Sequence, residues 1–217
     1  MTEKPIIFSG PMVRAILDGR KTQTRRALKT PGPEWVLDPA REQAAREGYY
    51  WFSPDPDEQP GCFCARPRYR EGDQLWVREA WRAERRFDKM PMGTKPTGAI
   101  VWREADGPPP QDAGFGRLRP SIHMPRWASR ITLRVTSIKV ERLQDISEAD
   151  AKAEGPPFVG KVRGQVWQSA MHMRLGIGTY WDNARDWYAD LWNLLHGPGA
   201  WEANPWVLAY TFERIDA

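Results

Sequence analysis

A chain of 217 residues that is 41% hydrophobic can bury a sizeable core, as one large domain or two small ones, without disulfide or metal staples. Its formal charge of +4, from 32 basic and 28 acidic residues, is mild and well mixed, unlike the strong basic face of many nucleic-acid binders. Cys62 and Cys64 make neither a disulfide scaffold nor a zinc set, so no metal and no other cofactor is expected.

The start Met1-Thr2-Glu3-Lys4-Pro5 lacks a signal-peptide core, and no apolar run approaches the roughly 20 residues that cross a bilayer. A cytoplasmic location with no membrane partner is the expectation. Ile6-Ile7-Phe8 reads as a short buried strand. Pro11 then suits the first turn of a helix whose apolar stripe is Met12, Val13, Ile16 and Leu17, with Asp18-Gly19 as its stop. The segment Arg20 to Arg26 is expected on the loop leaving that helix. Residues 29–70 shift to Pro, Gly and charge, with little periodicity, and read as an insertion. Leu75-Trp76-Val77 and Ala99-Ile100-Val101-Trp102 look like strands, and 83–120 reads as a second excursion.

Between Arg130 and Val140 the pattern becomes clean. Ile131, Leu133 and Val135 alternate with Thr132, Arg134 and Thr136, the period of a strand with one buried face. Ser147-Glu148-Ala149-Asp150 resembles a capping box, with Ile146 stapled on Ala151 and Gly155 as the stop, so a short helix is expected over about 148–154. A longer helix is expected from Tyr180 to Leu195, capped by Thr179, with Trp181, Ala184, Tyr188, Leu191, Trp192 and Leu195 on one face. Trp206 to Phe212 closes the chain as a strand.

Arg20, Lys21, Arg25 and Arg26 crowd seven residues, interleaved with the hydroxyls of Thr22 and Thr24. Like charges disfavour one another's protonated forms, and of the four only a lysine gives up its proton in practice. Lys21 is therefore a candidate base. Helical or turn geometry would bring its amine near the Thr24 hydroxyl three residues on, making a nucleophile-and-base pair. Set against this, a Lys/Arg run is commonly a solvated face, or a phosphate-binding patch with no catalysis. Glu154 is expected in the last turn of the short helix, where the dipole prefers a cation; a carboxylate there breaks a local rule, and such breaks mark functional positions. Glu79 and Glu84, near Trp81, read as solvated loop acids, and the histidines at 123, 172 and 196 lack ligand spacing.

The run Ile16-Leu17-Asp18-Gly19-Arg20-Lys21-Thr22-Gln23-Thr24-Arg25-Arg26 resembles the opening signature of ASCH domains, a helix ending in Gly and then Lys-Thr-x-Thr-x-Arg. Three further blocks match in order. They are Gly72-Asp73-Gln74-Leu75-Trp76-Val77, the strand Thr132 to Thr136 with Leu143-Gln144-Asp145-Ile146-Ser147, and Trp206 to Phe212. Phe8-Ser9-Gly10-Pro11-Met12 and Pro120 to Ala128 are similar to prophage-encoded, longer members.

The resemblance implies an α+β fold, a single domain built on a PUA-like β-barrel with flanking helices, interrupted by insertions at about 29–70, 83–120 and 156–203. It also implies amide hydrolysis, since the small ASCH amidohydrolases remove the acyl group of N4-acetylcytidine. Their motif carries over as Lys21 for proton acceptor, Thr24 for nucleophile and Glu154 for proton donor. An ionised Glu154 would oppose the neutral form of Lys21, so the two would titrate as a coupled pair. Arg26, Trp76 and Trp127 are candidates for binding or stacking a planar cytosine. Other ASCH proteins are proposed RNA binders, and a ribonuclease activity has been suggested. The expected partners are accordingly a modified nucleoside or nucleobase, and single-stranded RNA. The long insertions depart from the compact amidohydrolases and bear on pocket size and substrate.

Overall fold

A computed structural model of the chain describes residues 3–29, 35–38, 49–53, 63–91, 94, 96–111, 113–161, 165–168 and 180–215. In chain order the strands are β1 (Glu3–Ile7), β2 (Gln23–Ala27), β3 (Val36–Leu37), β4 (Tyr50–Ser53), β5 (Phe63–Ala65), β6 (Gln74–Arg78), β7 (Trp81–Ala83), β8 (Val101–Arg103), β9 (Thr132–Arg142), β10 (Phe158–Lys161), β11 (Gln165–Gln168), β12 (Tyr180–Trp181) and β13 (Trp206–Ile215). The helices are α1 (Gly10–Leu17), α2 (Glu148–Ala153) and α3 (Ala184–His196). Helices and mostly antiparallel strands are mixed along the chain, an α+β arrangement. No helix among the described residues is long and apolar enough to cross a membrane.

The chain divides into two compact units, one of Met1–Arg20, Gly72–Val135 and Phe212–Ala217, the other of Lys21–Glu71 and Thr136–Thr211. In the first, β1 runs parallel to β6, and β6 pairs antiparallel with the start of β9, setting Leu75 opposite Leu133. Both leucines are fully buried. β9 carries Leu133 and Val135 inward and Arg134 half out, but Thr132, expected outward, is buried at 8% exposure. α1 buries Val13, Ala15 and Ile16 and ends at Asp18, with Gly19 at φ 72°, the left-handed conformation glycine adopts without steric cost. β7 and β8 form a short hairpin within the stretch read from sequence as an excursion. Glu79, expected to be solvated, is 1% exposed and takes a forked contact from Arg130, at 3.0 and 3.2 Å. A carboxylate is buried only where such a partner answers its charge.

In the second unit β2 pairs antiparallel with β13, from Ala27 opposite Val207 to Gln23 opposite Thr211. This corrects the expectation of a loop with helical or turn geometry after α1. Pairing with β13 holds the backbone extended, so side chains alternate with period two instead of returning after three residues. The stretch read as the first insertion contains the antiparallel sheet β3–β4–β5, whose Phe52 is fully buried with its ring 5.3 Å from that of Trp206. Pro31, Gly32, Pro33, Pro54, Asp55, Pro56 and Cys62 lie outside the described residues.

α2 forms where its caps predict. Ser147 Oγ accepts from Asp150 N at 3.0 Å, and Gly155 leaves the helix at φ 86°. The Glu148 carboxylate accepts from Ala184 N at 2.9 Å and so caps α3. α3 starts four residues later than expected: Asn183 is its N-cap, accepting from Asp186 N at 2.7 Å, while Tyr180 and Trp181 are extended in β12. Thr179 lies outside the described residues. The later start moves the buried stripe to Ala184, Trp187, Tyr188 and Trp192, leaving Leu195 54% exposed. That stripe packs with Leu143, Ile146, Ala151 and Val207 into one apolar cluster. Neither unit, taken by itself, closes its strands into a barrel among the described residues.

Candidate functional site

β2 and α2 bring the site together. Where the chain approaches β2, Lys21 makes an isolated antiparallel bridge with Glu154, and Thr22 N donates to Ala153 O at 2.8 Å. The segment thus satisfies carbonyls that the end of α2 would leave without partners. Lys21 Nζ donates to Glu154 Oε2 at 2.7 Å, to Glu154 O at 3.1 Å and to Gln23 O at 2.8 Å. Its side chain has no exposure, and that of Glu154 is 3% exposed. The ammonium also sits at the negative end of the α2 dipole, which answers the rule that Glu154 breaks.

Gln23 and Arg25, two apart on β2, project toward α2. Gln23 Nε2 donates to Asp150 Oδ1 at 3.2 Å and to Thr211 Oγ1 at 3.1 Å. Arg25 Nη1 donates to Glu154 Oε1 at 3.1 Å, while its Nε and Nη2 both reach Glu141 Oε1, at 3.0 and 2.8 Å. The Tyr188 ring of α3 lies 5.8 Å from the Arg25 guanidinium, and its hydroxyl feels the Glu154 charge. Lys21, Arg25, Glu141 and Glu154 are thus two cations and two anions, all buried, with Tyr188 against them.

Burial drives the electrostatics. Removal from water pushes the Lys21 amine below its ordinary value; Glu154 opposes that, and the Arg26 and Arg25 charges reinforce it. Tyr188 is held well above the usual phenol range, first by burial and then by the Glu154 charge. Burial alone would lower Arg25, but Glu154, Tyr188 and Glu141 outweigh it and hold the guanidinium higher.

Of the residues singled out from sequence, the structure brings Lys21 and Glu154 into direct contact. Thr24 is 4% exposed and sits on β2 opposite Tyr210. Because strand residues alternate, it belongs to the face turned away from Gln23 and Arg25. Tyr210, on that face, makes an edge-on contact with Tyr69 at 5.2 Å. Its hydroxyl, which accepts from the Tyr69 and Arg68 backbone, is pushed up to about 12 chiefly by burial. Arg26 is exposed at the next strand position. Trp76 and Trp127 belong to the first unit, Trp76 under the Arg78 guanidinium at 4.5 Å and Trp127 edge-on to Trp81 at 5.7 Å.

No protein-family model matches the sequence, and no curated protein matches it. Among solved structures, the chain matches the protein EF3133 from Enterococcus faecalis V583, of the family DUF984, at a TM-score of 0.38 and 11% identity. That match covers 100% of this chain and 82% of the other. A likeness at this level carries no argument about fold or chemistry, so the site rests on its own residues.

Sequence reasoning missed Arg25, Glu141 and Tyr188. Arg25 was hidden in the cation run, where nothing local tells a buried arginine from a solvated one. Glu141 carries a usable signal, because it falls in phase with Leu133 and Val135 on β9 and so reads as an acid at a buried strand position. Tyr188 was placed on the apolar stripe, but the Glu154 charge that acts on its hydroxyl lies 34 residues away along the chain.

Proposed function

We propose that the protein is an ASCH-type, PUA-like amidohydrolase that cleaves the N4-acyl amide of an acylated cytidine or a related nucleobase amide. The observation that carries the reading is the Lys21 amine, fully buried 2.7 Å from the Glu154 carboxylate, with its proton affinity lowered by burial. Proton transfer across that single hydrogen bond converts an ammonium and a carboxylate into a neutral amine and a carboxylic acid. One step therefore prepares the base and the acid that amide cleavage needs.

The neutral Lys21 then accepts the Thr24 hydroxyl proton as the oxygen bonds to the acyl carbon. Glu154 returns a proton to N4 as the C–N bond breaks. Water hydrolyses the acyl-threonine ester to free the acid. Arg25 and Tyr188 orient the carboxylate, so their role is positioning.

A second reading follows from the orientation of Thr24. With Thr24 on the opposite face of β2 from Arg25, and Lys21 already donating to three acceptors, the ion pair fits a structural bolt within a non-catalytic RNA- or modified-nucleobase-binding module, or a ribonuclease. Steady-state absorbance assays on N4-acetylcytidine separate the readings, with circular dichroism as the folding control. Lys21→Arg keeps the charge but cannot deprotonate near neutral pH, so activity should fall about 10²–10⁴-fold. Thr24→Ser should retain part of the rate that Thr24→Val loses. A folded Lys21→Arg protein within about threefold of wild type would sink the hydrolytic mechanism.

A further inference from the structure

Beyond the Lys21–Glu154 contact, the second unit carries a chain of charges that reaches the surface. Glu141 and Glu154 flank the Arg25 guanidinium, and each carboxylate divides its oxygens between that guanidinium and a lysine. Glu154 gives Oε1 to Arg25 Nη1 at 3.1 Å and Oε2 to Lys21 Nζ at 2.7 Å. Glu141 gives Oε1 to Arg25 Nε and Nη2, at 3.0 and 2.8 Å, and Oε2 to Lys139 Nζ at 2.6 Å. The last contact is ionic and lacks the angle of a hydrogen bond. Lys139 and Glu141 are two apart on β9, so the strand period turns both to one face. The Lys139 side chain is 63% exposed, whereas that of Lys21 has no exposure. Signs therefore alternate from solvent inward, through Lys139, Glu141, Arg25 and Glu154 to Lys21.

A guanidinium with one carboxylate to itself tends to fork onto both of its oxygens. Glu141 takes the Nε and Nη2 side of Arg25 and leaves Nη1 for Glu154. One Glu154 oxygen thus stays with Lys21. Glu141 also answers the charge of Arg25, which is one of those that push the Lys21 amine toward its neutral form.

We propose that Glu141 is a positioning residue for the Lys21–Glu154 pair: by occupying one side of Arg25 and balancing its charge, it keeps Arg25 on a single Glu154 oxygen and leaves the other to Lys21. Lys139 extends that control to the surface through the second Glu141 oxygen. The inference deepens the hydrolytic reading, on which its catalytic meaning rests, while the coupling between the charges is measurable without any hydrolysis.

The charged and titratable groups around the pair are Glu154 and Asp150 from α2, Arg25 and Arg26 from β2, Glu141 and Lys139 from β9, and Tyr188 from α3. Glu141→Gln removes one negative charge at nearly constant shape. Arg25 is then unbalanced, so Lys21 should lose its proton more readily; Lys139→Gln removes one positive charge and should do the reverse. Side-chain carbon-13 and nitrogen-15 signals of the intact protein follow the Lys21 midpoint across pH, with Lys21→Arg giving the assignment. The midpoint should fall by about one unit in Glu141→Gln, a tenfold loss of proton affinity, and rise by about half a unit, or threefold, in Lys139→Gln. Salt at about 1 M should erase the second shift and keep the first, because Lys139 is exposed and Glu141 is buried. An unmoved midpoint in Glu141→Gln, or shifts of the same sign in the two variants, would overturn the proposal. Should Glu141→Gln fail to fold, the surface variant decides alone, and a Lys139→Gln midpoint equal to that of wild type at low salt overturns it as well.

Kinetics on N4-acetylcytidine keep this result apart from the catalytic reading. In a hydrolysing enzyme the ascending limb of kcat/KM against pH should follow the Lys21 midpoint down in Glu141→Gln. If the wild-type protein hydrolyses nothing while both midpoints move as stated, the catalytic reading fails and the hold of Glu141 on the pair stands.

Discussion

Removing the negative charge from Glu154 tests the buried pair most directly. In Glu154→Gln the Lys21 amine keeps its cavity, with no exposure, but faces an amide in place of a carboxylate. Breaking a buried ion pair by removing one partner costs about 3–5 kcal/mol. An independent ceiling comes from neutralisation. With an ordinary lysine pKa near 10.4 and about 1.4 kcal/mol per unit, holding Lys21 neutral at pH 7 costs about 4.6 kcal/mol. The two figures agree, so a loss of about 3–5 kcal/mol is expected at pH 7.

The pH dependence fixes the cause. In the variant the folded chain carries neutral Lys21 and the unfolded chain carries the ammonium, so the unfolded state binds one more proton. Stability then rises with pH, by about 1.4 kcal/mol per unit, until the unfolded lysine itself titrates. In the wild type Glu154 opposes the loss of the Lys21 proton, so the gain over the same range is smaller. The deficit should therefore shrink, by at most about 2.7 kcal/mol, between pH 7 and pH 9. Urea unfolding followed by circular dichroism at both pH values measures this, provided the denaturant slope is unchanged. Lys21→Met combined with Glu154→Gln removes the stranded charge and should recover most of the loss. A deficit below about 1 kcal/mol at pH 7, or one of equal size at pH 9, would refute a charged pair at this site.

Alkaline titration should show four raised tyrosines among the six, since burial raises Tyr50 and Tyr69 as well, with Tyr210 raised to about 12 and Tyr188 well above the phenol range. Their raised values make stability complete below pH 10 and lost as pH climbs from 10 toward 12; absorbance near 295 nm checks this, and Tyr188→Phe and Tyr210→Phe should each remove one late step. Phe52→Ala should cost about 3–5 kcal/mol in urea unfolding, because its ring is fully buried against Trp206; a neutral result would return the β3–β4–β5 sheet to the status of a dispensable insertion. Ser147→Ala should cost about 0.5–2 kcal/mol through loss of the α2 cap. Single-stranded RNA binding should be weak and should fade steeply with salt, because few phosphates can be neutralised at a net charge of +4; tight binding that persists above about 0.5 M salt contradicts this.

The elements legible in the sequence are those whose signals are local. α1, α2 and β9 each carry a cap, a stop or a clean alternation within a dozen residues, and all three stand where those signals put them. β2 was not legible because its extended form comes from β13, about 180 residues away, and nothing between Arg20 and Arg26 encodes that partner. α3 begins four residues later than its apolar stripe suggests because Trp181 fits both a helix stripe and a strand, and the cap is Asn183, which the stripe places inside the helix. The β3–β4–β5 sheet was hidden by its Pro-rich surroundings. At the site, the identity of Lys21 and Glu154 could be read from charge crowding and a broken helix rule, whereas their 2.7 Å contact required the fold.

Why the fold keeps these charges inside can be argued from energies. A buried ion pair contributes little net stability, since desolvation of each ion cancels most of the attraction, and a well-packed apolar substitute often does as well. The cluster of Lys21, Arg25, Glu141 and Glu154 takes the desolvation cost four times, within a unit that already has Trp187, Tyr188, Trp192 and Val207 for a core. Stability alone does not select such an arrangement. Two uses remain for it, register and chemistry. As a register device it pins β2 to α2, because a one-residue slip of β2 would turn Gln23 and Arg25 away from Asp150 and Glu154 and strand both acids. Chemistry asks for one thing that register does not, an amine able to lose its proton. Arginine at position 21 satisfies the first use and fails the second, so a Lys21→Arg protein that folds with its stability intact and hydrolyses nothing assigns the lysine to chemistry. One that folds and hydrolyses normally assigns it to register.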